Sequence, residues 1–510
     1  RAPETGWTDW ATSVDSRVVY VSATGSDAND GLTTDAPKLT MGAGWSLMRN
    51  GFPDHMLMKR GDTFAGQGLG LPSTKSGRSN TERMVFGVYG PEADGRAIIQ
   101  TSGNNSFFNV GFGTTQHLAF QSLDISCPDR TVNNDAFLYG PATGGNLSLE
   151  DMHIHGFGVG LNVRRGPNVK VFRSIVEGNS PNMGALFTAI DGLEVTECIF
   201  DSNGWVDGTV AASTQTRNVY IQSDCDNVTY SRNHSNRSSS NGAQVRPGGT
   251  VEDNLCVRNA AGLHFGFRYG GIPRVGGSTG TCSRNVVLNS EDHDAITGGQ
   301  GIGVGNISAT GVVVEGNLIA NGVSTNGLSN GFLLEAANNG SADMPILNMT
   351  MTNNVVYNQD RPLQLTGTIG TDIVSTTISN NKFSTTTGAA SERLRVYQAS
   401  TAWAAGLTFT SNSMWSNAAA GAWTYWGVDQ TLAEWITDTG ATGTVSTTPS
   451  FTDVTRGVDT YLDYLDSTTG STEAAFFARL LLQRRGDWDD RLETLSVNTH
   501  IRAGFDLVPA

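Results

Sequence analysis

One short phrase recurs through the second half of the chain: an asparagine set between a polar residue and a run of apolar ones. It reads SRNH around Asn233, EDNLCV around Asn254, SRNVVL around Asn285 and EGNLIA around Asn317. It continues as TNNVVY around Asn354, SNNKF around Asn381 and TSNSMW around Asn412. The intervals are 21, 31, 32, 37, 27 and 31 residues. Uneven periods of this size belong to stacked repeats rather than separate globules, because one such unit cannot bury its own apolar face. An asparagine at one turn of every coil would stack as a ladder, each amide bonding the next. Earlier units (LEDMHIHG, FRSIVEGNS, TECIFDSNG) offer Asp151, Ser174 and Glu197 to the same slot. The expected architecture is an all-β solenoid.

A second strand follows each ladder position: GLNVR (160–164), GALFT (184–188), GAQVR (242–246), GLHFG (262–266), GIGVG (301–305), GFLLE (331–335) and PLQLT (362–366). The second and fourth residues of every one are apolar, from Leu161/Val163 and Ala185/Phe187 through to Leu363/Leu365. Side chains alternate across a strand, so these line the core, and the third and fifth residues face out. The outward set includes Asn162/Arg164, Gln244/Arg246, His264 and Glu335. In a parallel solenoid such residues form columns with about 4.8 Å per coil, giving an elongated groove with a polar floor. Composition agrees: 62 glycines, 16% charged and 8% aromatic residues favour many short strands over helices.

Charge separates one stretch from the rest. The chain carries a net −15, which argues against nucleic acid as a partner. Yet between Arg232 and Arg284 there are seven arginines and only two acids, Glu252 and Asp253. The five lysines (38, 59, 75, 170, 382) leave 171–381 without one. Arginine is the planar bidentate donor suited to carboxylate or sulfate. Individually, these arginines can also be solvated turn residues or partners of neighbouring acids.

Two reactions fit the proton-transfer groups in this stretch. For β-elimination, His264 or Tyr269 would be the base, with Arg246 and Arg268 neutralising a uronate carboxylate. For hydrolysis, Asp292 and Asp294, flanking His293, are the best acids, because paired carboxylates about 5–10 Å apart suffice. Gln244, Arg164, Asn162, His234, Arg232 and Glu335 complete the expected substrate contacts. His153 and His155 share one strand face and could hold a metal, or simply join a stacked polar ladder. The five cysteines are widely spaced, odd in number and form no CxxC pair, so they read as buried small residues.

The opening phrase VYVSATGSDANDGL, followed at a distance by KRGDTF, resembles the N-terminal cap of secreted right-handed parallel β-helix proteins. With the asparagine ladder, that resemblance covers roughly residues 17–420. It implies a carbohydrate-active extracellular protein, the shape being shared by pectate- and alginate-lyase-like enzymes, polygalacturonase-like and carrageenase-like hydrolases, epimerases and phage tailspikes. No polygalacturonase-like pattern of NTD, DD, HG and RIK is present, and the lysines that several lyase groups use have no counterpart in the central coils. Expected domains are 1–82 as N-terminal cap and first coil, 83–420 as β-helix, and 421–510 as an extension with a helical cap. Helices are expected at 429–436 and 471–486, the latter with Ser471 as N-cap and Gly486 as stop. Asp27, Asn29 and Asp30 could hold Ca²⁺ through hard oxygen ligands, with a plain Asx-rich turn as the competing reading.

The functional expectation is a secreted, monomeric, endo-acting enzyme that cleaves an anionic, uronate-containing polysaccharide by β-elimination. A glycoside hydrolase of an acidic or sulfated glycan and a non-catalytic, tailspike-like glycan binder are the alternatives. Arg1 rather than Met opens the chain, as expected of a processed form, and no stretch approaches a membrane span in length.

Overall fold

Each repeat folds as one coil of three short strands, and the coil at residues 248–266 shows why. Gly248–Glu252 forms the first strand, Leu255–Val257 the second and Ala261–Gly266 the third. Between the first two, Asp253 takes a left-handed conformation (φ 57°) and Asn254 follows it; between the next two, Arg258 (φ 55°) and Asn259 repeat the pattern. A single left-handed residue turns the chain sharply, and the asparagine behind it satisfies the backbone that the turn leaves exposed. Stacked coils then place all first strands in sheet A, all second strands in sheet B and all third strands in sheet C.

This computed structural model describes residues 6–70, 75–111, 113–129, 133–206, 208–266, 273–294, 296–325, 329–336, 344–385, 394–396, 406–416, 423–425 and 428–507. The chain divides into two compact units. The first comprises Arg1–Val210, Cys225–Asn227 and Arg479–Asp490; the second comprises Ala211–Asp224, Val228–Ala478 and Arg491–Ala510.

In the first unit, sheet A begins with Val18–Val21 paired parallel to His55–Lys59, in register Val18 with His55. It proceeds through Met84–Tyr89, Leu118–Gln121, Leu147–Glu150 and Gly166–Phe172. The helix Met41–Leu47 covers this start, capped by the Thr40 hydroxyl accepting the Ala43 amide at 3.1 Å. Arg479–Asp490 folds back onto the same unit. There Arg96 donates to Asp151 at 2.6 Å and to the Gln483 carbonyl at 2.8 Å, and the Arg173 guanidinium lies 4.9 Å from the Trp7 ring centre and 5.3 Å from that of Trp488.

In the second unit, sheet C runs Arg217–Ile221, Asn241–Val245, Ala261–Gly266, Gln300–Gly305, Asn330–Glu335 and Arg361–Thr366, all parallel. Every apolar residue expected to face inward does so: from Leu161 to Leu365 none of the fourteen is more than 1% exposed. The asparagine ladder is continuous here. The Asn285 side-chain oxygen accepts the Asn254 amide N–H at 3.1 Å and its Nδ2 at 2.9 Å, while Asn285 itself donates to Asn317 and to the Val251 carbonyl. Asn233, Asn254, Asn285, Asn317 and Asn354 are all 0% exposed, so each of these bonds replaces one that water cannot make.

Two details depart from expectation. The ladder slot in the first unit holds Ser174, whose hydroxyl accepts the Met152 amide at 3.1 Å. Asp151 and Glu197 sit one position earlier, at the left-handed residue (φ 53° and 54°). A second ladder lines the B–C turn, where Asn179 donates to Asn203 at 3.0 Å. Of the expected helices, the first is Leu432–Thr439 with a capping box of Thr431 and Glu434. The second is only Glu473–Leu480, with the Thr472 hydroxyl rather than Ser471 accepting the Ala475 amide at 3.2 Å. Two further helices, Val458–Asp466 and Thr494–Gly504, lacked a clear sequence signal. All five cysteines are buried.

Candidate functional site on sheet C

The outer face of sheet C in the second unit gathers the polar residues that alternation turns away from the core. Register pairs Tyr220 with Gln244, Gln244 with His264 and His264 with Gly303, forming one outward column. Gly242, Gly262, Gly301 and Gly331 open their strands for a steric reason. A Cβ at Gly242 would lie 2.7 Å from the Gly262 carbonyl, and one at Gly262 would lie 2.4 Å from Val287 on sheet B. Only glycine lets the third strand pack that closely at the corner.

At the start of the column, two guanidinium groups pack against one ring. The Arg217 guanidinium carbon lies 4.5 Å and that of Arg246 4.8 Å from the centre of Tyr220. Both are cation–π contacts in a site with little water, where such contacts are strongest. Arg217 also donates to the Asn241 side-chain oxygen at 3.3 Å, and the Asn241 amide lies 3.2 Å from both ring nitrogens of His264. Gln244, His264, Arg246 and Asn241 are 3%, 6%, 5% and 4% exposed, so an outward-facing cluster is nevertheless shielded. Burial, with the nearby Arg217 charge adding to it, brings the Arg246 guanidinium down to about 10, still charged at neutral pH. The Gln244 side-chain oxygen is buried with no hydrogen-bond partner among the described residues. A planar anion entering here would meet two arginines, an amide and an imidazole.

Further along the column the polar floor is interrupted, resuming at Gln364. Gly303 and then Leu333 succeed His264, and Leu333 is 7% exposed. Glu335 stands in the neighbouring outward column, after Gly305. Arg268 and Tyr269 lie outside the described residues. Arg217, Tyr220 and Asn241 were missed by sequence reasoning; alternation in RNVYI (217–221), with Val219 and Ile221 inward and 0% exposed, signals Tyr220 but gives Arg217, like Asn241 on the next strand, the parity of inward residues.

Several expected site residues lie elsewhere. His234 belongs to sheet B, where its Nε2–H donates to the Leu492 carbonyl at 2.8 Å and its ring packs on Phe476. Burial there pushes its imidazole down to about 4. Arg232 is the left-handed residue of an A–B turn (φ 56°), away from sheet C. Asp292, His293 and Asp294 brace a B–C turn. Asp292 accepts the Gly298 amide at 2.6 Å and the Thr325 amide and hydroxyl at 2.9 and 2.6 Å. Burial opposes its charge, but these bonds outweigh it and hold the carboxyl below the usual range. His293 donates to the Arg258 carbonyl at 3.0 Å, and Asp294 accepts the Ala212 amide at 2.8 Å. Both carboxylates thus brace the turn through backbone amides.

The arginine-rich stretch likewise divides. Arg258 pairs with Glu291 at 2.7 Å, Arg284 pairs with Glu252 and Asp253 at 2.6 and 2.8 Å, and Arg237 stacks on Phe477. Arg246 faces the sheet C cluster. In the first unit, Asn162 and Arg164 form a chain of their own: Arg164 donates to Asn162 at 2.9 Å, and Asn162 to Asp135 at 3.0 Å. The Asp27 carboxylate accepts from Leu39 and Thr40, the Asp30 side chain from Leu32, and the Asn29 amide donates to Pro37. Lys38 donates to the Asp27 and Asn29 carbonyls, putting a cation of the chain itself in that loop.

No family model and no curated protein matches the chain. Among solved structures it is similar to a PL6 family alginate lyase, at 12% identity over 79% of this chain and 52% of that one, with a TM-score of 0.46. The chain thus spans about half the length of that enzyme. It is also similar to a mannuronic acid specific family 6 lyase from human gut microbiota, at 13% identity, 88% and 93% coverage and a TM-score of 0.47. A lacto-N-biosidase from Eubacterium ramulus matches at 11% identity, 84% and 67% coverage and a TM-score of 0.31. No helix among the described residues is long and apolar enough to cross a membrane. By the register of its coils, the chain is a parallel β-helix.

Proposed function

We propose that the protein is a secreted lyase that cleaves an anionic, uronate-containing polysaccharide by β-elimination on the outer face of sheet C in the second unit. The observation that carries this reading is the pair of guanidinium groups, Arg217 and Arg246, held against the ring of Tyr220 beside the Asn241–His264 contact. In elimination the proton α to a carboxylate is removed, and charge accumulates on that carboxylate; fixed arginines stabilise the charge as it develops. His264 takes the proton, the released electron pair forms the carbon–carbon double bond, and the glycosidic oxygen departs and is protonated by solvent. Asn241 orients the imidazole. Hydrolysis gains no comparable support, because Asp292 and Asp294 are engaged with backbone amides.

The test is digestion of a panel of uronate polymers, followed by the ultraviolet absorbance of the unsaturated sugar end. The wild type is expected to generate it, and Arg246→Ala to lose about 10²–10³-fold in rate, the usual cost of removing one charge-stabilising donor. New reducing ends without unsaturated product would overturn the elimination reading.

A further inference from the structure

The outer face of sheet B in the first unit carries a second cluster, unrelated to the arginines of sheet C. Its strands are Leu123–Ser126, His153–His155 and Ile175–Glu177. Alternation buries Ile154 completely and turns His153 and His155 outward together, and their rings stack at 4.6 Å. Register puts Asp124 beside His153 on one neighbouring strand and Glu177 beside His155 on the other. Four side chains from three coils therefore converge, although 53 residues separate the outermost two in sequence.

The contacts are specific. Asp124 Oδ2 lies 2.9 Å from His153 Nδ1, and Asp124 Oδ1 lies 3.0 Å from His155 Nε2. The remaining His153 nitrogen, Nε2, donates to Glu177 Oε1 at 2.8 Å. One ligand atom each from Asp124, His153 and His155 falls within 4.8 Å of the others. His155 is 37% exposed, Asp124 22% and Glu177 24%, so the cluster opens to solvent.

We propose that Asp124, His153 and His155 form a binding site for a divalent transition metal such as Zn²⁺, with Glu177 as the positioning residue behind His153. Two imidazoles and a carboxylate suit that class of ion, and three protein ligands leave a fourth position for water or substrate. Ligand atoms around a tetrahedral Zn²⁺ stand about 3.3 Å apart, so the two Asp124–histidine contacts need open only slightly, while the set of three, all within 4.8 Å, draws together around the ion. A carboxylate on the far nitrogen of a ligating histidine fixes its tautomer and its ring orientation, which is the part Glu177 plays. On binding, His153 Nδ1 gives its proton to solvent and its lone pair to the metal while its Nε2–H stays hydrogen-bonded to Glu177, and His155 frees the Nε2 lone pair by keeping its ring proton on Nδ1. Nothing in the loop of Asp27, Asn29 and Asp30 offers nitrogen ligands, so that loop and this cluster would select different ions.

The experiment titrates metal-stripped full-length protein with CoCl2 and follows the visible absorption of four-coordinate Co²⁺, with Zn²⁺ as competitor. One equivalent of Co²⁺ should give an intense band that Zn²⁺ bleaches. His155→Gln, a change at a solvent-exposed position, should abolish the band while far-ultraviolet circular dichroism stays unchanged. Glu177→Gln should keep it with about 10–100-fold weaker affinity. His500→Gln, which alters a histidine outside the cluster, should leave it intact. A wild type without the band, or a band surviving in His155→Gln, would overturn the proposal. The result is independent of activity on any polysaccharide.

Discussion

His153 and His234 occupy equivalent places in their coils, each the first residue of a sheet B strand directly after the ladder slot. Their fates are opposite. Around His153 the face is open and acidic: burial disfavours the imidazolium, but Asp124 and Glu177 outweigh it and raise the ring above its usual range. Around His234 the face is roofed by the C-terminal segment, and with Leu492 and Phe476 as neighbours burial brings the ring down to about 4. The β-helix sets the direction of a side chain, and what lies over that face sets its chemistry.

The contrast can be broken most severely by removing the roof. Phe476→Ala should cost about 3–5 kcal/mol in denaturant unfolding, since Phe476 is 0% exposed and leaves a cavity against His234. A smaller loss, with normal His234 titration by NMR, would mean that the roof is loose.

Acid sharpens it next. His234 has a folded pKa below its unfolded one, so it contributes stability that is fully present above about 6.5 and is lost as pH falls toward about 4. The full effect is roughly 3 kcal/mol, because each tenfold difference in proton affinity between the folded and unfolded chain is worth about 1.4 kcal/mol. His234→Gln should flatten this part of the stability–pH curve relative to wild type. Parallel curves would place the titration elsewhere.

The ladders supply the third contrast. Asn285→Ala removes a fully buried amide bonded to Asn254, Asn317 and Val251, and should cost about 2–3 kcal/mol by leaving those groups unsatisfied. Ser174→Ala in the first unit removes the hydroxyl that Met152 bonds, and should cost only about 1 kcal/mol. Equal losses in the two variants would show that the slot, rather than the amide, carries the stability.

Much of the scaffold was legible because a repeat is a physical constraint stated many times over. Leu263 and Phe265 could be placed inside from GLHFG alone, since period-two alternation leaves them no other face. The same alternation put Gln244, Arg246 and His264 outward, and there they lie. Alternation says nothing of Asp292 and Asp294, which lie in a turn, and nothing local says that Thr325, a coil away, will occupy Asp292 or that Ala212 will occupy Asp294. It does turn Tyr220 outward, but not Arg217 or Asn241, which share the parity of inward residues on their strands.

By itself, then, the sequence determined the stacked coil, the ladder residues and which side chains face inward, because those follow from short-range geometry repeated at each turn. Only the tertiary structure decided which outward residues meet. Arg217 and Arg246 meet at Tyr220, Asp124 meets His153 and His155, and His234 disappears under Leu492. Those meetings depend on register between coils and on where the C-terminal segment returns, and both are long-range properties of the packed chain.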